Sequence, residues 1–378
     1  MKFLISSQEF NYLLSKINLI PLKPAIPLLS YLLVEAYGDQ LIISATDLNI
    51  GIRCYADADA NTLKILEEGA TVLPGRKLAQ LARELTAPMV EIFSSPQEMT
   101  TLISGSSRFK LHGLEKSLYP ALPDLTDTQF FTISQAQLKE LLYRTAFAAS
   151  KEENRYALTG VLMQILNGRV IFTGTDGKKL ARASAPIDID PLFTNQSIIP
   201  AKAVEEIMKN LTREEEHAKI FLMADKIAFE ANQTRIIAKL LLGDYPDVNR
   251  IIPEQSPIEI TLHREELSTL LRQISLFTTE SHYSVRFSFT QGELQLTANT
   301  REVGEGHVSM PVNYFGEPLQ IAFNPSFFLE ILRHCKEETV SIALTDSYNP
   351  GKMSENLHGP NASGFESIFV IMPMRLEE

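Results

Sequence analysis

Ser6-Ser7-Gln8-Glu9-Phe10-Asn11-Tyr12-Leu13-Leu14-Ser15-Lys16-Ile17 sets the rhythm of this chain. Phe10, Leu13, Leu14 and Ile17 stand at i, i+3, i+4 and i+7, which lines them up on one face of an α-helix. The spacing returns at Leu138, Leu141, Leu142 and Thr145, and again at Leu267, Leu270, Leu271 and Ile274. A second stripe follows each of these: Leu78, Leu81, Ala82, Leu85; Val204, Ile207, Met208, Leu211; Phe328, Ile331, Leu332, Cys335. A period of roughly 126 residues means one domain written three times. Six helices, each apolar on one side only, imply a curved or ring-like scaffold rather than a catalytic cleft.

Other markers keep the same beat. Helix starts are expected at Ser6, Ser134 and Thr261, with capping boxes Ser6/Glu9 and Ser134/Gln137 at the first two. Pro74, Pro200 and Pro325 are expected to start the second helices, where a missing N–H costs nothing. Thr46-Asp47 recurs as Thr175-Asp176, and Arg108 as Arg235; Tyr119-Pro120, Tyr245-Pro246 and Met372-Pro373 close the copies. Between the helices, Leu41–Ser44, Val170–Thr173 and Leu294–Thr297 read as strands, each preceded by a turn. The fold class is therefore α+β, with boundaries giving copies 1–125, 126–253 and 254–378. Tyr348 to Gly364, rich in Asn, Gly and Ser, reads as a loop inserted into the third copy.

The 378 residues are 44% hydrophobic and 21% charged, ordinary for a globular chain. The opening MKFLISSQEF breaks too early, at Gln8 and Glu9, for a signal peptide, and no run reaches membrane-span length. Cys54 and Cys335 fall in different copies and read as buried thiols in a reducing compartment. A net charge of −11 argues against gripping nucleic acid by bulk electrostatics. Seven scattered histidines offer no zinc spacing, and no cofactor motif is present. Gly174-Thr175-Asp176-Gly177-Lys178-Lys179 lacks phosphate-loop spacing and reads as a strand-to-strand turn with Gly177 at positive φ. Asp176 or Asp247 as an acid or base on nucleic acid is the rival enzymatic reading, but neither has a partner base at a useful spacing.

Four segments resemble the bacterial sliding clamps, the beta subunits of DNA polymerase III: Arg155–Gly160, Thr175–Ala181, Tyr245–Pro253 and Met372–Leu376. Lys23–Leu29 before the first strand is similar too, and the likeness runs the whole chain in order. It implies a DNA clamp fold of three domains, two helices each on an inner face and sheets on an outer rim, closed as a ring-shaped homodimer around double-stranded DNA. The inner face would then carry Lys23, Arg76, Lys77, Arg83, Lys139, Arg144, Lys151, Lys202, Lys209, Arg264 and Arg272, with Arg333 beside them. Subunits would meet through Phe109 and Leu111 of one copy and Leu276 and Phe277 of the other.

The resemblance also implies a groove for short peptide motifs of the replicative polymerase, clamp loader and repair proteins. Its floor would be Leu158, Thr175, Leu180, Pro246, Ile251, Val370, Ile371 and Met372, with Met374 and Leu376 as a wall and Gly177 and Pro373 among the other peptide-binding residues. Arg155, Lys178, Lys179, Arg250 and Arg375 would form a basic rim, and Asn324 and Phe327 would meet the peptide's other end. Phe327 departs from the tyrosine frequent there, and Glu377-Glu378 extends past the usual final leucine. No cofactor is implied, and the compartment is cytoplasmic. A peptide-binding adaptor that never encloses DNA is the alternative.

Overall fold

The computed structural model describes residues 1–17, 26–95, 97–254, 256–279, 283–355 and 364–375, the Glu153 side chain apart. In the first copy β1 (Lys2–Ser6) leads into α1 (Ser7–Lys16), and the Ser6 hydroxyl caps that helix by accepting the Glu9 N–H at 3.1 Å. Then come β2 (Tyr31–Tyr37), β3 (Gln40–Thr46), β4 (Ile50–Asp57), β5 (Leu63–Glu67) and β6 (Gly69–Pro74). They are followed by α2 (Gly75–Glu84), β7 (Met89–Ser94), β8 (Met99–Ser104) and β9 (Ser107–His112).

The middle copy opens with β10 (Phe130–Ser134), α3 (Gln135–Ala146), β11 (Gly160–Leu166), β12 (Arg169–Thr175) and β13 (Lys179–Pro186). It closes with β14 (Asn195–Pro200), α4 (Ala201–Asn210), β15 (His217–Leu222), β16 (Lys226–Ala231) and β17 (Thr234–Lys239). The third has β18 (Ile258–His263), α5 (Arg264–Ser275), β19 (Val285–Thr290), β20 (Glu293–Thr300) and β21 (Gly304–Pro311). After it come β22 (Leu319–Phe323), α6 (Pro325–His334), β23 (Thr339–Leu344), β24 (Gly351–Ser354) and β25 (Glu366–Ile371).

Three local expectations shift. Thr261 lies inside β18, and α5 is capped instead by His263, whose Nδ1 accepts from the Glu266 N–H at 3.4 Å. Pro74 and Pro200 end strands, one residue before their helices, while Pro325 alone is a first helical residue. The stretch from Tyr348 is not all loop, because β24 pairs with both β23 and β25. Its alternation, with Gly351 and Met353 buried and Lys352 and Ser354 less so, is a short strand hidden among turn residues.

The apolar stripes are buried as their spacing requires: Phe10, Leu13, Leu14 and Ile17; Leu138, Leu141, Leu142 and Thr145; Leu267, Leu271 and Ile274. Each such large side chain contributes about 1.5–3 kcal/mol when fully withdrawn from water. In the first copy α1 packs on α2, and in the third α5 packs on α6.

Compactness divides the chain into two units, Met1–Ala136 with Glu205–Leu240, and Gln137–Val204 with Leu241–Glu378. Each holds one eight-stranded sheet. The first runs β10-β15-β16-β17-β4-β3-β2-β6 and the second β14-β11-β12-β13-β25-β24-β23-β18. A five-stranded sheet, β5-β1-β7-β8-β9, and a four-stranded one, β21-β20-β19-β22, complete them. Every copy thus supplies two half-sheets, and one antiparallel seam joins halves from neighbouring copies: β4 with β17, then β13 with β25.

Candidate functional site

The segment joining β12 to β13 is a rigid turn. The Asp176 Oδ1 accepts the N–H groups of Lys178 and Lys179, both at 2.9 Å, and the Thr175 hydroxyl accepts that of Gly177 at 3.1 Å. Gly177 sits at φ +84°, the left-handed region its missing side chain permits. Arg155 donates to the Asp176 carbonyl at 2.7 Å and covers the turn. Thr46-Asp47 builds the same turn in the first copy, with Asp47 Oδ1 accepting from Asn49 and Ile50. The motif is structural geometry, and nothing in it cradles phosphate.

Beside this turn lies an apolar surface. Leu162, Leu180, Ile198, Tyr245, Val248 and Val370 form one buried cluster, with Ala157, Leu158, Leu241, Ile251 and Ile252 half-buried against it. Asp247 starts the short turn Val248–Ile251 by accepting the Asn249 N–H at 3.2 Å, and it pairs with Arg250 at 3.1 Å. The Tyr245 hydroxyl donates to the Thr173 carbonyl at 3.2 Å, and burial raises its pKa. The C-terminal segment is held at both ends: Met372 N–H donates to Lys178 O at 2.9 Å, and Met374 N–H to Ala322 O at 2.7 Å. Met372, Pro373 and Met374 stay half-exposed, while Arg375, Lys178, Arg250 and Pro246 are exposed. Asn324 caps α6 through Ser326 N–H at 2.9 Å, and Phe327 packs half-buried on the third-copy core.

Two expected groove residues do other work. Ile371 belongs to the core on the opposite face of the sheet, since neighbours along a strand point opposite ways; Val370 alone faces the groove. Lys179 is buried rather than on the rim. Its ammonium pairs with Asp176 at 2.7 Å and Glu330 at 3.0 Å and lies 4.7 Å from the Phe327 ring centre. Burial pushes the Asp176 carboxyl up, but Lys179 and the turn N–H groups prevail and hold it below its usual range. Leu376 and Lys23 lie outside the described residues.

Most expected helix cations are exposed: Arg76, Lys77, Arg83, Lys139, Lys151, Lys202, Lys209, Arg272 and Arg333. Lys209 pairs with Glu206 at 2.7 Å. Arg264 is half-buried and donates to the Glu337 carbonyl at 2.8 Å. Arg144 is fully buried and cannot meet a ligand. It is held by Glu140 at 2.5 Å, by the Ser367 hydroxyl at 3.1 Å and by buried Glu355, which also accepts the N–H groups of Lys336 and Glu337. Its place three residues past Leu141, flanking the apolar stripe, was the available sign. Nothing local marked Glu355 or Glu330 as partners, because ion pairs between distant segments leave no spacing.

Phe109 and Leu111 stand on β9, at the end of the five-stranded sheet, Phe109 with over a third of its surface exposed (37%). Leu276 is 74% exposed just past α5, while Phe277 is half-buried with its ring against Gly306 of β21. Edge strands and exposed large apolar groups both invite a partner.

Family models for the DNA polymerase III beta subunit match the chain in three consecutive pieces. The N-terminal domain matches 1–123, the central domain 132–247 and the C-terminal domain 249–375. The chain belongs to the DNA polymerase III beta subunit family. The beta sliding clamp of Chlamydia pneumoniae is 48% identical over the full length of both chains, and that of Chlamydia muridarum 47%. The Bacillus subtilis DNA polymerase sliding clamp superposes with a TM-score of 0.91 at 26% identity, covering all of both chains. A Pseudomonas aeruginosa sliding clamp bound to griselimycin does so with 0.91 at 27%, again covering both chains fully. The chain is a DNA sliding clamp, a non-catalytic processivity subunit of DNA polymerase III, and ring dimerisation is typical of its family. DNA and polymerase are its partners. Among the described residues no helix is long and apolar enough to cross a membrane.

Proposed function

We propose that two copies of this chain close head to tail into a six-domain ring, with clamp domains 1–125, 126–253 and 254–378 in each. One observation carries this: the first half-sheet of each copy pairs with the second half-sheet of the next, and among the described residues the outer two half-sheets have no such mate. These end at β21 and β9. A second chain can supply each with the seam that the other copies already make.

Internal symmetry supports one register for this closure. In the two seams Gly51 faces Ile237 and Leu180 faces Val370. Aligning the hairpins carries these pairs to Glu305 facing Lys110, and the next pair to Gly306 facing Phe109. The register supports itself chemically, because it joins opposite charges and brings Phe109 over Gly306, where the Phe277 ring lies. Leu111 and Leu276 would flank that contact.

Duplex DNA then threads the ring, held by its closed circumference. Diffuse contacts to phosphates come from Arg76, Lys77, Arg83, Lys139, Lys151, Lys202, Lys209, Arg264 and Arg272, joined by Lys23. Such contacts carry no sequence information and permit sliding. The groove of Leu158, Thr175, Leu180, Pro246, Ile251, Val370, Met372 and Met374 accepts short apolar motifs from polymerase, clamp loader and repair proteins. Arg155, Lys178, Arg250 and Arg375 surround it, and methionine thioethers adapt to different side chains. The site of action is the cytoplasm, and no cofactor is required.

Retention on DNA tests the ring. Loaded protein should persist on a circular duplex through a salt wash and leave once the circle is cut; equal retention on both would contradict encirclement. A chain that stays monomeric at micromolar concentration while still binding peptides would favour the adaptor reading.

A further inference from the structure

We infer that Lys179 is a positioning residue of the peptide groove, tying the β12–β13 turn to helix α6 so that the two lips stand at a fixed separation. The inference rests on the groove reading above. Lys179 follows the turn in sequence, whereas Glu330 and Phe327 sit on α6, more than a hundred residues later. One buried ammonium meets all three elements of the contact: Asp176 at 2.7 Å, Glu330 at 3.0 Å and the Phe327 ring centre at 4.7 Å. A lysine side chain with 8% of its surface exposed is not available to a partner's carboxylate. Its charge is engaged inside the protein by two carboxylates and one ring face.

Removing the ammonium leaves Asp176 and Glu330 facing one another as like charges, and the lips should move apart. The Phe327 ring lies under the same cation, an attraction that needs no hydroxyl.

The test is a double-mutant cycle read as peptide affinity by calorimetry, using a synthetic peptide with two apolar anchors and the full-length dimer. Lys179→Met and Glu330→Gln should each weaken binding about tenfold, and together about tenfold rather than a hundredfold. Lys179→Arg keeps the charge between the two carboxylates and should weaken binding less than Lys179→Met, even though its planar head differs in shape. Glu330 is 40% exposed, so its substitution tests the tie without emptying the core. Independent effects that multiply, or no change in any variant, would overturn the inference. Leu158→Asp separates it from the groove itself: loss of binding there with an unchanged Lys179→Met affinity removes only the tie, whereas unchanged binding in Leu158→Asp removes the groove.

Discussion

At the β4·β17 seam only Leu122 and Met223, among the described residues, lie half-buried on the apolar cluster, whereas at the β13·β25 seam Ala157, Leu158, Leu241, Ile251 and Ile252 do. Both seams follow the same plan. Tyr119 and Tyr245 each send a hydroxyl to a strand carbonyl below, Tyr31 O at 3.1 Å in one case and Thr173 O at 3.2 Å in the other. Thr46 faces Gly51 across one hairpin as Thr175 faces Leu180 across the other. The difference lies at that last position. Because Gly51 has no side chain, Leu122 drops onto the strand; its Cδ2 lies 2.4 Å from where a Cβ would stand. Leu122 then joins Leu125, Phe221, Ala228 and Ile237, and Arg235 closes the surface by lying over Tyr55 and Phe221. In the second seam Leu180 occupies that place itself and Val248 is buried in the same cluster, while Leu158, Ile251, Met372 and Met374 are half-exposed.

The second seam is also the one pinned by buried charge. Arg144→Met should destabilise the fold by about 4 kcal/mol in chemical denaturation, because Glu355 would stay buried without its cation. A loss below about 1 kcal/mol would mean that the pair is merely tolerated. Making the second seam resemble the first comes next: Leu180→Ala should cost about 3 kcal/mol and also weaken peptide binding. The reciprocal change, Gly51→Leu, should cost about 2 kcal/mol by evicting Leu122 while leaving peptide affinity at the other seam untouched. If peptide affinity fell as far in Gly51→Leu as in Leu180→Ala, the contrast between the seams would be wrong.

The smallest effect is a pH dependence. The Asp176 carboxyl is held below its usual range, so its contribution is complete above the unfolded value and is lost as pH falls through the folded one. The stability difference between the parent and Asp176→Asn, about 1 kcal/mol, should therefore be flat from neutrality to the ordinary carboxylate range and vanish only in stronger acid. A difference that disappeared near pH 6 would point to another group.

Local periodicity made the helices, the turns and the repeat legible. The stripe at Phe10 to Ile17 and the turn at Thr175-Asp176-Gly177 each carry their geometry within a few residues. The fusion of half-sheets across copies was not legible, since β4 and β17 lie far apart in sequence and either could have ended a sheet. For the groove, the resemblance named the segments, but alternation along β25 had to decide that Val370 faces it and Ile371 does not. Lys179 and Arg144 read as surface cations because charge ordinarily is; their acidic partners arrive from distant segments. β24 was hidden because four residues between turns give too little alternation to stand out.

Ring closure through the unpaired halves is the claim on which the rest depends, and cross-linking across the inferred register addresses it directly. Cys54 and Cys335 are buried, and burial pushes their thiols up to about 11 and about 12, so they should stay silent. Lys110→Cys combined with Glu305→Cys, treated with a short bis-maleimide, should yield a covalent two-chain ring that remains on circular DNA after denaturation of the protein. The shifted pair, Lys110→Cys with Val303→Cys, should link poorly. Single chains only, or better linking of the shifted pair, would contradict closure of the β9 and β21 edges in this register.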